Sequence, residues 1–224
     1  MNTGIRTQDG RLFRRDGLSH RSSSVQDSRP YQAVVIGASA GGSTALMNIL
    51  PQLPANFPIP IIVAQHLHPL QDGPAVLYRA QGCALTLKEA EEKEAALPGF
   101  VYFAPPNYHL LVEDDHTFSL SVDAKVNFTR PSIDVLFQSA ADAYGVTLIG
   151  VVLSGANQDG AAGLNIIKQR GGLAIVQDPA TSEISYMPRA AIEAASPDYI
   201  LSPLEIGAKL VHLSNFLADP LPSV

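Results

Sequence analysis

Ala33-Val34-Val35-Ile36-Gly37-Ala38-Ser39-Ala40-Gly41-Gly42 is the stretch that decides the fold. Its first four residues are apolar and mostly β-branched, which predicts a buried strand. Two glycines follow, and the apolar residues between Ser43 and Leu53 then recur at helical spacing. We therefore expect Ser39 in a turn between a strand and a helix, the first unit of an α/β domain.

The same stretch contains Gly37-Ala38-Ser39-Ala40-Gly41, a literal G-x-S-x-G, which is the spacing of a nucleophile elbow. In such an elbow the serine oxygen stands beside a helix N-terminus, which favours negative charge. Two other interpretations stay open on this stretch alone: ordinary close packing of strand and helix, and anion binding at a glycine-rich turn. A dinucleotide site is disfavoured because the glycines are not spaced as G-x-G-x-x-G.

The composition limits the class of protein. The chain has 224 residues, 46% of them hydrophobic, which is enough for one substantial core. No apolar run reaches the length of a membrane span, so we expect no membrane insertion. The single cysteine, Cys83, cannot form an internal disulfide, as is usual in a reducing compartment such as the cytoplasm. The total charge of −6 includes +3 in residues 1–30, so residues 31–224 carry −9, which disfavours nucleic-acid binding.

Residues 1–30 differ from the rest of the chain. They are polar, rich in Ser and Arg, and without hydrophobic periodicity. Because such a segment cannot support a core, we expect a disordered tail or linker. The segment also lacks the apolar region of a secretory signal. Residues 31–224 are then expected to form a single folded domain.

The rest of the chain alternates apolar strand patterns with amphipathic helix patterns. Between residues 99 and 122 the period changes to two, which predicts short strands in hairpins at 100–104, 109–112 and 117–122. The pattern as a whole predicts a doubly wound, mostly parallel, Rossmann-like α/β sheet with an antiparallel hairpin excursion. Other strands are predicted at 60–65, 84–89, 147–153, 173–176 and 199–201, and helices at 73–80, 132–144, after 160 to about 170, 188–195 and 203–217.

Sites in such sheets lie at the carboxyl ends of the strands. There the sequence has Ser39, His66 and Asp159, each following a different buried strand. A serine needs a base to remove its proton, histidine titrates near neutrality, and a carboxylate fixes the imidazole tautomer. The three residues therefore predict a Ser-His-Asp triad, in a chain order that differs from common α/β-hydrolases. We expect the oxyanion donors among backbone N–H groups near the Ser39 turn, such as that of Ala40, or in the loop 155–159.

Two alternatives stay open for these residues. His66 and His68 could form a metal pair, but no third ligand at a recognisable spacing stands nearby, so we expect no metal site. Asp159 could simply cap the helix that begins after it.

The motifs taken together resemble the catalytic domain of the CheB family of chemotaxis protein-glutamate methylesterases. The similarity covers residues 33 to about 202. It is carried, in order along the chain, by IGASAGG at 36–42, QH at 65–66, LPG at 97–99, YFAP at 102–105, RPSIDVLF at 130–137, GVVLSG at 150–155, DGAAG at 159–163 and MPRAAI at 187–192.

This resemblance implies that Ser39 is the nucleophile, His66 the base and Asp159 the orienting acid, with the N–H of Ala156 helping to hold the oxyanion. It implies hydrolysis of glutamate γ-methyl esters on the cytoplasmic helices of methyl-accepting chemotaxis receptors, with release of methanol. Some members of the family also deamidate receptor glutamines. We therefore expect a cytoplasmic enzyme without a cofactor, with the receptors and a separate signalling protein as partners.

The chain departs from the family pattern near the expected site. The loop that usually reads T-G-M-G-N-D-G reads S-G-A-N-Q-D-G at 154–160, a Met-Pro-Pro stretch becomes Leu67-His68-Pro69, and a common threonine is Ala40. Because a backbone donor survives a side-chain change, we expect catalysis to be retained and substrate choice to differ. The thirty residues before the domain are too few for the family's receiver domain, so phosphorylation within this chain is not expected. The alternative functions are a receptor-binding module with little hydrolysis and a hydrolase of another ester or amide.

Overall fold

A computed structural model describes residues 31–66 and 82–214 of the chain. The predicted tail at 1–30, the predicted helix at 73–80 and residues 215–217 of the last predicted helix lie outside the described residues. Among the helices within the described ranges, none is long and apolar enough to cross a membrane.

A parallel sheet of seven strands forms the centre of the described structure, and a separate antiparallel pair lies beside it. The strands are β1 (Ala33–Ala38), β2 (Ile61–Gln65), β3 (Thr86–Glu89), β4 (Phe100–Phe103), β5 (His109–Val112), β6 (Phe118–Ser121), β7 (Leu148–Val152), β8 (Leu173–Gln177) and β9 (Tyr199–Leu201). The order in the main sheet is β3-β4-β2-β1-β7-β8-β9, while β5 pairs with β6. This confirms the predicted doubly wound, mostly parallel fold with an antiparallel hairpin.

The prediction that residues 100–104 belong to a hairpin is wrong. Strand β4 lies between β2 and β3 and pairs in parallel with both of them. Val101, Tyr102 and Phe103 are all buried, so β4 is covered on both faces. A strand buried on both faces has a continuous apolar run rather than an alternating pattern, and Phe-Val-Tyr-Phe is such a run.

Five helices cover the two faces of the sheet in the described residues. They are α1 (Gly42–Ile49), α2 (Ile133–Tyr144), α3 (Ala161–Gln169), α4 (Tyr186–Ala195) and α5 (Pro203–Ser214). One face carries α1 and α5, whose Leu46 and Leu210 share one apolar cluster, and the other carries α2, α3 and α4. Helix α4 begins two residues before the predicted start at Pro188, and it tolerates this proline because the first-turn N–H groups have no intrahelical partner.

The central strand β1 brings the predicted site residues to one edge. It pairs with β2 so that Ala38 lies beside Gln65, and with β7 so that Gly37 lies beside Val152. The chain segments that follow these three strands therefore leave the sheet next to one another. Gly37 also allows close packing of α2, because a Cβ atom there would collide with the side chain of Ile133.

Candidate active site

Ser39 lies in a tight turn between β1 and α1. Its backbone N–H donates to the carbonyl of Ser154 at 3.0 Å, and its carbonyl accepts from Gly42 at 2.8 Å. Gly41 has a φ of 76°, and a Cβ atom there would lie 2.5 Å from the Cβ of Glu183. The turn therefore requires glycine at position 41, and it holds Ser39 half-buried at the start of α1.

His66 links the serine to a carboxylate. It follows β2 directly, and its side chain is 12% exposed. Its Nδ1 lies 3.2 Å from Ser39 Oγ, and its Nε2 lies 2.9 Å from Asp159 Oδ2. Because an ionised carboxylate only accepts hydrogen bonds, the neutral form of the ring that fits this geometry carries its proton on Nε2 and has a lone pair on Nδ1 facing the serine hydroxyl. The arrangement can take the serine proton without any rearrangement of the ring.

Asp159 is fully buried, and every close polar contact of its carboxylate is to a donor. Burial by itself would raise the pKa of Asp159. The hydrogen bonds from His66 and from the residues around it outweigh burial and hold that pKa well below its usual range. Asp159 is therefore ionised at neutral pH. The donors within hydrogen-bond distance are His66 Nε2, Asn127 Nδ2, Thr129 Oγ1, Ser132 Oγ and the backbone N–H groups of Ile133 and Asp134.

The carboxylate of Asp159 lies at the N-terminus of α2, not of the helix that follows it. It accepts from the N–H groups of Ile133 at 2.7 Å and Asp134 at 3.1 Å, where the helix dipole favours negative charge. At the N-terminus of α3 the acceptor is instead Asp134, whose Oδ1 accepts from the backbone N–H groups of Gly160 at 2.9 Å and Gly163 at 2.7 Å. The alternative in which Asp159 caps its own following helix is therefore wrong, because its carboxylate lies among the α2 donors.

The comparison with known protein families decides the family. The model of the family described as CheB methylesterase matches residues 34–210, which include the whole Ser39, His66 and Asp159 constellation. The chain belongs to the CheB methylesterase family. This confirms the recognition made from the sequence motifs, and it makes the protein a member of a hydrolase family.

Individual CheB relatives agree with the family match. A Leptospira interrogans protein, provisionally named protein-glutamate methylesterase/protein-glutamine glutaminase, is 55% identical over 83% of this chain and 96% of its own length. A Thermotoga maritima protein named protein-glutamate methylesterase/protein-glutamine glutaminase is 39% identical over 80% of this chain and 53% of its own. The crystal structure of the Thermotoga maritima CheB methylesterase catalytic domain matches with a TM-score of 0.78 at 38% identity. That match covers 83% of this chain and 100% of that domain.

Residues that the sequence analysis gave no role surround the carboxylate of this CheB family member. The amide nitrogen of Asn127 donates to Asp159 Oδ1 at 2.9 Å and to Asp134 Oδ2 at 2.8 Å, so it bridges the two acids. Burial, together with the nearby charge of Asp159, raises the pKa of Asp134. Ser132 is the N-cap of α2, and its hydroxyl also donates to Asp159 at 2.8 Å. The signal available in the sequence was the RPSID string at 130–134, which carried the resemblance without assigning roles.

The two predicted oxyanion donors, Ala40 and Ala156, are exposed at the rim of this site. Neither N–H donates to any group in residues 31–66 or 82–214. The loop that holds Ala156 packs on the serine, because a Cβ atom at Gly155 would lie 2.9 Å from Ser39 Cβ. The loop 155–159 therefore lies against the Ser39 turn.

The metal interpretation finds no support in the described ranges, where no group of three or more His, Cys, Asp or Glu side chains could hold an ion. His66 is engaged by Ser39 and Asp159. His68, the other member of the considered pair, lies outside the described residues.

Proposed function

We propose that this chain is a serine esterase that hydrolyses glutamate γ-methyl esters on methyl-accepting chemotaxis receptors and releases methanol. Ser39 is the nucleophile, His66 the general base and then the general acid, and Asp159 the orienting carboxylate. The observation that carries the proposal is the continuous hydrogen-bond chain from Ser39 Oγ through both ring nitrogens of His66 to a buried, ionised carboxylate. Membership of the CheB methylesterase family supports the reaction class.

In the first half of the reaction, Ser39 Oγ attacks the ester carbonyl while His66 Nδ1 takes the hydroxyl proton. The imidazolium that forms is stabilised by Asp159 at 2.9 Å. Negative charge develops on the carbonyl oxygen, and the N–H groups of Ala40 and Ala156 donate to it. The tetrahedral intermediate then collapses, His66 returns the proton to the departing methoxy oxygen, and methanol leaves an acylated Ser39.

In the second half a water molecule takes the place of methanol. His66 Nδ1 removes a proton from the water as it attacks the acyl carbon, and the same N–H groups hold the new oxyanion. His66 then returns the proton to Ser39 Oγ, and the substrate leaves as a free glutamate. Its new negative charge is repelled by a domain whose net charge is −9 over residues 31–224, which favours release.

A glutamine side chain fits the same steps, with ammonia leaving in place of methanol. The names of the Leptospira and Thermotoga relatives pair the methylesterase with a protein-glutamine glutaminase, and we propose both activities for this chain. We also propose that the protein acts in the cytoplasm, where the receptor helices named by the family resemblance lie, with a separate signalling protein as its regulator. We also propose that the chain divides into a tail at residues 1–30 and a catalytic domain at residues 31–224.

The test is methanol release from receptor membranes that carry labelled methyl groups. We expect release by the wild-type protein and a loss of about a millionfold in Ser39→Ala, since removal of the nucleophile abolishes the triad as a unit. Ser119→Ala, on the separate β5–β6 pair, is the matched control and should keep wild-type turnover. Tight receptor binding without methanol release would refute the esterase. Labelling of Ser39 by a fluorophosphonate without any methanol release would refute the proposed substrate, but it would leave Ser39 as a reactive nucleophile.

A further inference from the structure

A four-residue turn, Val126–Thr129, stands at the rim of the site. The N–H of Thr129 donates to the carbonyl of Val126 at 2.9 Å, and the reverse bond is 3.2 Å. The central residues Asn127 and Phe128 have φ angles of 51° and 64°. Two successive positive φ angles are those of a type I′ turn, which strongly prefers Asn-Gly at its centre. Asn127 fits this preference, whereas Phe128 occupies the position where glycine is expected.

Within residues 31–66 and 82–214, Phe128 gains no packing in return for this backbone conformation. Its side chain is 95% exposed, so neither the core nor a loop of that part of the chain packs against it. A left-handed backbone is costly for a bulky residue, and an exposed aromatic ring adds a hydration cost. Strain of this kind persists at sites where a ligand uses it, and the observed outlier is the reason to look for one here.

The turn is bound to the triad on both sides of Phe128. Asn127 donates to Asp159 Oδ1 at 2.9 Å. Thr129 Oγ1 lies 3.1 Å from Asp159 Oδ2, the oxygen that also accepts from His66. The tip of the turn is therefore held at a fixed place relative to the reacting serine.

We infer that Phe128 is a docking residue for the protein substrate and contacts apolar side chains that neighbour the esterified glutamate. The inference rests on the proposed function. Because Asn127 and Thr129 bond to the carboxylate of the triad, the exposed ring between them stands where side chains that flank a glutamate bound at Ser39 can cover it. A small ester carries no such surface and does not use Phe128.

The experiment compares the protein substrate with a small probe of the same serine. Phe128→Gly removes the ring and supplies the residue that the turn prefers, so the fold is kept. We expect kcat/KM for methanol release from methylated receptor membranes to fall about tenfold or more through KM, since an aromatic side chain loses its buried contact. The rate at which a fluorophosphonate labels Ser39 should not change. Phe128→Tyr, which keeps the ring, should restore most of the receptor activity.

Val146→Ala is the matched control. Val146 is 46% exposed and lies just before the start of β7, whereas the site lies beyond the carboxyl ends of the strands. Its truncation should therefore change neither KM for the receptor nor the rate of fluorophosphonate labelling. Wild-type KM for the receptor in Phe128→Gly would overturn the inference. An equal fall in fluorophosphonate labelling would also overturn it, because the turn would then act by positioning Asp159. A wild-type protein that is labelled at Ser39 but releases no methanol refutes the proposed receptor substrate, and the docking role with it.

Discussion

Replacing Asp159 by asparagine changes one oxygen into a nitrogen in a pocket that contains only donors. The Oδ1 atom accepts from the N–H of Asp134, and Oδ2 accepts from the N–H of Ile133 and from His66. Hydroxyl groups can rotate away from an amide nitrogen, but backbone N–H groups cannot. In either orientation of the new amide, one backbone N–H at the start of α2 loses its acceptor.

The size of the effect follows from these contacts. A buried donor left without an acceptor costs about 1–3 kcal/mol. Loss of a negative charge at a helix N-terminus adds about 0.3–2 kcal/mol. We therefore expect the free energy of unfolding of Asp159→Asn to fall by about 1–5 kcal/mol, measured by urea denaturation.

The catalytic effect of Asp159→Asn is larger. An amide nitrogen facing His66 Nε2 donates to it, and the ring then carries its proton on Nδ1, which faces Ser39. The ring can no longer accept the serine proton, and kcat for methanol release should fall by about ten thousandfold, as expected for a wrong tautomer. Asp142→Asn, at an exposed position near the end of α2, should leave kcat unchanged and change stability by less than about 1 kcal/mol, because Asp142 makes only a surface ion pair with Arg170. Turnover of Asp159→Asn within tenfold of wild type would refute the assignment of Asp159 as the orienting acid.

The remaining predictions concern the surroundings of the triad. Asn127→Ala should lower the free energy of unfolding by about 1–3 kcal/mol in urea denaturation, because Asp159 and Asp134 lose the amide that separates them. Gly41→Ala should lower the free energy of unfolding by at least about 2 kcal/mol, because φ is 76° and the new Cβ collides with Glu183. The same change should slow fluorophosphonate labelling of Ser39, which lies in this turn. The pKa of Asp159 is lower in the folded than in the unfolded chain, so its contribution to stability is complete above about pH 4 and declines below it. The stability difference between wild type and Asp159→Asn should therefore shrink in urea titrations as the pH is lowered from about 4.

Controls separate these effects from general damage. Gly82 has a similar φ of 78°, but no atom of residues 31–66 or 82–214 lies within 4 Å of a Cβ atom placed there. Gly82→Ala should therefore cost only the backbone strain of about 1–2 kcal/mol and leave labelling unchanged. Equal decreases in the free energy of unfolding of Gly41→Ala and Gly82→Ala would contradict the steric argument. A pH-independent difference between wild type and Asp159→Asn would contradict the lowered pKa of Asp159.

Much of the fold was predictable because apolar runs that are visible in the sequence coincide with buried strands of the main sheet. Apolar runs such as 33–36 and 147–153 form the buried strands β1 and β7. Strand β4 was misassigned because a short apolar run does not reveal which strand lies beside it. Its neighbours β2 and β3 are chosen by the packing of the whole sheet.

The sequence by itself determined the family, the parallel sheet and the prediction that Ser39, His66 and Asp159 approach one another. It could do so because the carboxyl ends of parallel strands share one edge, so residues that follow them must lie near one another. The catalytic roles of these three residues remain predictions until the substitutions are measured.

Only the tertiary structure decided which ring nitrogen of His66 faces Ser39, and how Asp159 stays charged without contact with water. The donors around that carboxylate come from the turn at 126–129 and the start of α2, some thirty residues earlier in the chain. Hydrogen bonds require positions accurate to a few tenths of an ångström, and such accuracy arises only when distant segments pack together. No local pattern in the sequence carries that information.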